Sequence, residues 1–163
     1  MKYLLSTLLF FLAFFSSNAQ TQKEKEEKIR SVINLDFHQN ASKCSFNVNA
    51  VTDINNKKEF WSICQLKNGN RILKIQSYEK EIYFEEIYFE KKGSLMYVKE
   101  TENYVPKNHF NQMSWNCEYY TKNGELLTLI SLGHGKTEDE NWNPDYIFDR
   151  YKRRLSELKK IKE

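Results

Sequence analysis

Apolar residues recur at every second position over much of the stretch from Lys43 to Leu132. In residues 43–50, for example, Cys, Phe, Val and Ala alternate with polar neighbours, as the two faces of a half-buried strand require. The same alternation predicts further strands at Phe60–Leu66, Arg71–Tyr78, Ile82–Glu90, Leu95–Tyr104, Met113–Thr121 and Leu126–Leu132. We therefore predict six or seven strands that follow one another along the chain.

Glycine-containing turns separate several of these strands. Asn68-Gly69 and Asn123-Gly124 each lie between two predicted strands, and Lys92-Gly93 occupies an equivalent place. Asn-Gly accepts the positive φ angles of a two-residue hairpin turn, which most residue pairs avoid. Consecutive hairpins of this kind predict an antiparallel meander.

Two-residue turns also determine which residues face each other across a hairpin. Around the second turn they place Glu86 opposite Lys99 and Tyr88 opposite Tyr97, and such ionic and aromatic pairs stabilise a ladder. If the resulting aromatic face is open, it suits a sugar, peptide or protein ligand, whereas a helix covering it would make it part of the core; we expect partial coverage. The aromatic face consists of Tyr88, Tyr97, Trp115 and Tyr119.

A helix is predicted at each end of the sheet region. Residues 21–39 begin with a charged segment and continue with apolar residues at helical spacing. Asn143-Pro144 provides an N-cap and a first-turn proline for a terminal helix rich in Lys and Arg. The predicted fold class is α+β, an antiparallel meander of six to seven strands with at least one of the two helices packed on the sheet.

The N-terminal residues have the layout of a secretory signal peptide. A positive start precedes the uncharged apolar run Leu4–Phe15, and small residues end at Ala19. The apolar run is about 12 residues long, whereas a membrane-spanning helix needs about 20. We predict that residues 1–19 are removed and that residues 20–163 form a single exported domain, periplasmic or secreted. Because Gln20 rather than cysteine follows the predicted cleavage site, we expect no lipid anchor.

Composition narrows the possible functions. The 163 residues are 40% hydrophobic and 29% charged, with a net charge of +3. Such a chain is globular rather than disordered, and its length suits one domain. The net charge is too small for the dense basic stripe that nucleic-acid binding usually needs. We expect no nucleic-acid partner, no membrane span and no cofactor.

Three cysteines follow the predicted leader, namely Cys44, Cys64 and Cys117. An odd number leaves at least one of them outside any intramolecular disulfide. If Val51–Lys57 is the loop of the first hairpin, Cys44 lies opposite Cys64, within the distance that a disulfide requires. Two separate buried thiols are the alternative, and both possibilities stay open.

Two residues are candidates for hydrolytic chemistry. His134 lies between two glycines just after the last predicted strand, and a histidine near neutrality can act as a general base. Cys117 lies on a predicted strand and has no histidine beside it in sequence. Since neither has a recognisable partner, we assign no catalytic residue. We also predict no metal site, because the histidines and cysteines lack ligand spacing.

Two hairpins share a short repeat in which an aromatic pair, a glycine and a leucine recur 31 positions apart. Together with the leader and the basic terminal helix, this layout resembles a loose group of small, mostly uncharacterised exported proteins of Gram-negative bacteria. The resemblance implies the architecture and conveys no active site. The repeat consists of Tyr88, Phe89, Gly93 and Leu95, followed by Tyr119, Tyr120, Gly124 and Leu126.

The favoured functional hypothesis is an exported, non-catalytic binding module whose partner is a protein or an envelope polymer. A periplasmic inhibitor or immunity-type protein is one alternative, and a small secreted hydrolase that uses His134 or Cys117 is the other. An open aromatic face favours the binding module, a flat interaction patch favours the inhibitor, and a polar cleft around His134 favours the hydrolase.

Overall fold

A computed structural model describes residues 2–54, 57–105 and 113–162. In the described part of the chain, seven strands form one antiparallel sheet in chain order, with a helix at each end of the sequence. This confirms the predicted α+β class and the meander. The elements are α1 Lys2–Ala41, β1 Ala50–Ile54, β2 Lys57–Gln65, β3 Arg71–Glu79, β4 Ile82–Lys91, β5 Ser94–Tyr104, β6 Met113–Lys122, β7 Glu125–Gly133, a 3-10 turn Lys136–Glu138 and α2 Tyr146–Lys162.

The terminal helix α2 packs on one face of the sheet, which we call the α2 face. Its N-terminus follows the predicted capping pattern, because the Asn143 Oδ1 accepts a hydrogen bond from the Asp145 amide at 2.9 Å. The apolar stripe of α2 then buries large residues of the strands, which supplies most of the driving force for packing. This core contains Trp61, Leu73, Tyr88, Val98, Trp115 and Tyr119 from the sheet with Ile147, Tyr151 and Leu158 from α2.

The first helix, α1, packs on the opposite face, which we call the α1 face. Arg30 donates a hydrogen bond to Thr128 of β7 at 3.2 Å, and Asn40 accepts one from Asn70, beside β3, at 2.9 Å. From one contact to the other, ten residues along, the helix rises about 15 Å. The four interstrand spacings from β7 to β3 add up to about 19 Å, which is a similar distance. Hence α1 crosses the strands at a steep angle. Between these points its Phe37 ring stacks on Tyr97.

The two hairpins of the repeat have the same geometry. Lys92-Gly93 and Asn123-Gly124 form two-residue turns with positive φ at both positions, as predicted. In each hairpin the pairing then shifts by one residue, at Phe89/Glu90 in the first and at Tyr120/Thr121 in the second. These two β-bulges are again 31 positions apart, so the repeat extends further than its matching residues.

The first bulge changes which residues face each other across the hairpin, so the predicted cross-strand pairs are wrong. Glu86 lies opposite Glu100 rather than Lys99, and Tyr97 lies opposite Phe89. An extra residue in one strand moves the side chains beyond it to the other face. Tyr97 therefore lies on the α1 face, apart from the three aromatic residues that the alternation groups with it.

The first predicted strand is wrong. Residues 44–49 form no strand. The strand β1 instead runs from Ala50 to Ile54, so most of it lies in the segment Val51–Lys57 that was predicted to be a loop. Phe46 has a φ of 47°, and its carbonyl accepts a hydrogen bond from the Ser62 hydroxyl at 3.0 Å. The alternation here belongs to an irregular segment in which Cys44 and Phe46 pack beneath α1 while Val48 is exposed. Sequence periodicity does not distinguish such a segment from a strand.

The first glycine turn is also longer than predicted. Gly69 has a φ of 82° and donates its amide to the Leu66 carbonyl at 3.1 Å, while the Leu66 amide bonds to Asn70 at 2.9 Å. This is a three-residue loop with a left-handed glycine. Cys64 consequently lies opposite Ile72, whereas a two-residue turn at Asn68-Gly69 would place it opposite Leu73.

Candidate functional site

A charged groove lies between α2 and strands β2–β5. Its volume is about 770 Å³, which falls in the range of small-ligand sites, although most such sites are more apolar. The charged groove is lined by Lys57, Glu59, Tyr78, Glu79, Lys80, Phe84, Glu85, Glu86, Glu100, Thr101, Lys136, Arg150, Arg153, Arg154 and Glu157.

Arg154 is the centre of the groove floor. Its guanidinium donates to Glu86 at 2.8 and 2.9 Å and to Glu59 at 2.9 and 3.1 Å, so it binds both carboxylates at two points. Glu157, one turn further along α2, accepts a further hydrogen bond at 2.8 Å. The planar guanidinium suits such paired contacts. It also lies 5.7 Å from the centre of the Trp61 ring, which fixes its position from below.

Burial and pairing act in opposite directions on the charges of the floor. Burial alone raises the pKa of Glu86, but the hydrogen bonds and the charge of Arg154 hold that pKa below its usual value. Burial likewise lowers the pKa of Arg154, and its carboxylate partners more than reverse the effect. Both side chains are therefore charged at neutral pH, and each stabilises the charged form of the other.

Arg150 organises the neighbouring part of the floor. It forms an ion pair with Glu100, which also accepts a hydrogen bond from the Tyr119 hydroxyl at 2.9 Å. In the same way the Tyr88 hydroxyl donates to Glu86 at 2.8 Å. Two core tyrosines thus hold the floor carboxylates in place, so the groove has a rigid polar base rather than a set of mobile surface charges.

The rim of the groove has a surplus of cations. Every lining carboxylate except Glu79 has a cationic partner among the described residues. By contrast, the structure gives Lys57, Lys80 and Arg153 no carboxylate partner within its described ranges, and Lys57 lies over the Phe84 ring at 4.7 Å. The charges that remain free for a ligand are therefore three cations and one anion.

The aromatic residues predicted to bind a ligand are core residues instead. Tyr88, Tyr97, Trp115 and Tyr119 are each at most 3% exposed. The α2 core encloses three of these rings, and α1 encloses Tyr97 on the other face. This corrects the hypothesis of an aromatic platform, because the buried rings present no face to a ligand.

Neither Cys117 nor His134 has the surroundings that a hydrolytic residue needs. Cys117 is fully buried, and burial raises the pKa of its thiol to about 11, so almost no thiolate exists near neutral pH. His134 is exposed, and its Nδ1 lies 2.6 Å from the Glu138 carboxylate. In the described residues no serine, threonine or cysteine forms a hydrogen bond with His134.

The glycines on either side of His134 have a packing role. Gly133 has a φ of 86°, and a Cβ added there would lie 1.9 Å from the Ser114 carbonyl oxygen. A Cβ at Gly135 would lie 2.4 Å from the Trp115 ring. The Gly-His-Gly sequence therefore lets the chain pass tightly over Trp115, and this accounts for the motif without catalysis.

We expect Gly133→Ala to lower the free energy of unfolding by about 2 kcal/mol, because it combines a left-handed backbone with a backbone clash. Gly93→Ala is the matched control, since Gly93 has a φ of 84° with open space around it. The control should cost about 1 kcal/mol. Urea unfolding of both variants separates the two contributions, and equal losses would contradict the packing role.

A disulfide joins Cys44 to Cys64, with a Cα–Cα distance of 5.8 Å. This pair is one of the alternatives that the sequence left open, but Cys44 lies in the irregular segment after α1 and not on a paired strand. The bond links the end of α1 to β2.

The charged groove was not predicted from the sequence. Glu59, Glu86 and Glu100 lie on strand positions that face α2, while Arg150 and Arg154 lie one turn apart on the buried side of that helix. Charged residues at positions that the periodicity assigns to the core were the available signal, because buried charges occur almost always in pairs.

Comparison with protein-family models, curated proteins and solved structures found no match to this chain. Where the structure describes helices, none is long and apolar enough to cross a membrane. Its described side chains also form no group of three or more His, Cys, Asp or Glu suited to a metal ion.

Proposed function

We propose that this chain is an exported, non-catalytic binding module and that the charged groove binds anionic groups of an envelope polymer. The observation that carries the proposal is the distribution of free charge. Among the described residues the floor carboxylates have cationic partners, whereas the rim cations Lys57, Lys80 and Arg153 have no carboxylate partner. A ligand with carboxylate, sulfate or phosphate groups would pair with these cations. The Phe84 ring, which lines the groove, suits the apolar face of a sugar ring.

Two features support export. The first 19 residues have the layout of a signal peptide, and the Cys44–Cys64 disulfide fits an oxidising compartment better than the cytosol. The resemblance to small exported proteins of Gram-negative bacteria agrees with this location. The periplasm and the medium are equally compatible with these features.

The binding module fits the geometry better than the hydrolase. A hydrolase would need an accessible nucleophile beside a base, whereas Cys117 is buried with a raised pKa and His134 bonds to an exposed carboxylate. The groove instead contains fixed charges and no residue placed as a nucleophile next to a base. An inhibitor or immunity-type role stays a prediction that requires a tight protein partner.

A binding titration tests the proposal. Protein expressed from the full chain is recovered after export, and its intact mass reports whether residues 1–19 are gone. The probe is a sulfated hexasaccharide, followed by calorimetry, with inorganic phosphate as a simple anion. The double variant Lys57→Gln/Arg153→Gln should weaken hexasaccharide binding about tenfold or more, equivalent to about 1.4 kcal/mol.

The matched control is Lys159→Gln/Lys160→Gln, which removes the same charge from exposed positions of α2 outside the groove. It should change the affinity less than about twofold, because exposed charges distant from the ligand are screened by salt. Equal losses in both variants would indicate non-specific attraction to the basic helix and exclude the groove as the site. Absence of binding to the wild type would overturn the anionic-ligand proposal itself.

A further inference from the structure

Strand β7 is an unpaired edge of the sheet. It pairs with β6 on one side, and it is the last strand in the sheet order. In the ranges that the structure describes, no backbone hydrogen bond joins the outer side of β7 to another element. Its outward amides and carbonyls are therefore available to another strand.

Most of the β7 edge lacks the features that usually prevent such pairing. From Leu126 to Gly133 the strand contains no charged residue and no proline. Its one bulge, at Leu127, lies near the start of the strand, and from Thr128 to Gly133 the pairing with β6 is regular. Leu132 is 65% exposed. The opposite edge, β1, has only five residues and includes Asp53. Since edge strands of soluble proteins are normally protected by charge, proline or shortness, β7 has the properties of an interface.

We infer that two copies of this chain associate through antiparallel pairing of their β7 edges, giving one continuous sheet around a two-fold axis. A pairing centred on Ile130 places Leu132 beside Thr128 of the second copy on the same face, as antiparallel geometry requires. It also brings the only charged residue of β7, Glu125, to the region of His134 in the second copy. No like charges on the two β7 strands face each other, so the edge is complementary to itself.

The position of α1 supports a second copy of this chain as the partner of the β7 edge. Arg30 contacts Thr128 of β7, and the helix residues before it, 21–25, are exposed. At 1.5 Å per residue they extend about 10 Å past this contact, roughly two strand spacings. In the two-fold arrangement this charged segment passes over the α1 face of the second copy, close to its exposed Leu132. Each copy therefore covers apolar surface of the other.

The oligomeric state of the exported protein tests this inference. Light scattering coupled to size exclusion should give twice the monomer mass for the wild type at micromolar concentration. The variant Leu127→Lys/Leu132→Lys, which places lysines at two exposed positions of the edge, should shift the dimer dissociation constant about tenfold or more towards monomer. The matched control Val48→Lys/Val51→Lys changes exposed residues at the opposite edge and should remain dimeric.

Hydrogen exchange gives a second measurement that needs no variant. The β7 amides should exchange more slowly at high protein concentration than at high dilution, while the β1 amides should not change. A monomeric wild type up to about 100 μM, well above typical specific dissociation constants, would overturn the inference. So would an edge variant that dimerises like the wild type. Neither result bears on ligand binding in the groove, which the titration tests separately.

Discussion

Arg154→Met should lower the free energy of unfolding by about 3–5 kcal/mol, the loss expected when one member of a buried ion pair is removed. The substitution keeps much of the side-chain volume but removes the guanidinium, together with its contact with the Trp61 ring, so the change is mainly electrostatic. Glu59 and Glu86 would stay buried at the groove floor without their cation. Urea unfolding at neutral pH, with both proteins oxidised, gives the difference directly.

Two further variants separate charge from packing. Arg153→Met removes the neighbouring guanidinium, which is exposed and lacks a carboxylate partner in the described ranges, and should change stability by less than about 0.5 kcal/mol. Adding Glu59→Gln and Glu86→Gln to Arg154→Met should recover much of the loss, because neutral amides are less costly to bury than unpaired carboxylates. A triple variant less stable than Arg154→Met would show that the floor is held by shape and not by charge.

The stability that Glu86 contributes to the folded protein should decrease at acid pH. The pKa of Glu86 is lower in the folded protein than its usual value, because Arg154 outweighs burial. Its contribution to stability is therefore present above the unfolded pKa of about 4.3 and is lost as the pH falls through the folded pKa. In Arg154→Met the same carboxylate favours protonation. The stability difference between wild type and variant should then shrink at acid pH, and a constant difference from pH 7 to pH 3 would contradict the role of charge.

The hairpins were predictable because their signals are local. Gly93 and Gly124 provide the left-handed positions of two-residue turns, and the turns form where the sequence indicates. The bulge between Phe89 and Glu90 was not predictable, since no residue type requires an extra residue in the ladder at that point. One bulge then reverses the faces of all residues beyond it, which is why Tyr97 was assigned to the wrong side of the sheet.

The candidate site depends on contacts between distant segments, and local patterns do not report these. The predicted register gives Glu86 a lysine partner, whereas the folded sheet places it opposite Glu100. These two adjacent carboxylates can be buried only because Arg150 and Arg154 pair with them. Both arginines belong to α2, which lies more than 45 residues later in the chain. The sequence contains all four residues, but their proximity follows from the bulge and from the docking of α2 together.

Removal of the disulfide is expected to have the second large effect on stability. Cys44→Ala/Cys64→Ala should lower the free energy of unfolding by about 3 kcal/mol, because the bond closes a loop of 20 residues and restricts the unfolded chain. The loss should appear first at α1, whose end the disulfide ties to β2. Amide exchange should accelerate in residues 30–41 more than in the central strands β4 and β5, which are held by pairing on both sides.

Chemical reduction provides the control for this variant. A reducing agent should lower the stability of the wild type to about that of the double variant and leave the variant itself unchanged. Cys117 cannot account for the effect, because it is buried and takes no part in the bond. If reduction left the wild type as stable as before, or if exchange accelerated equally in α1 and β4, the other contacts of the helix would be enough to hold it on the sheet. These include the packing of Ile33 and Phe37 and the hydrogen bonds of Arg30 and Asn40. The disulfide would then not be needed for the packing of α1. Only its presence, and not a role in stability, would support export.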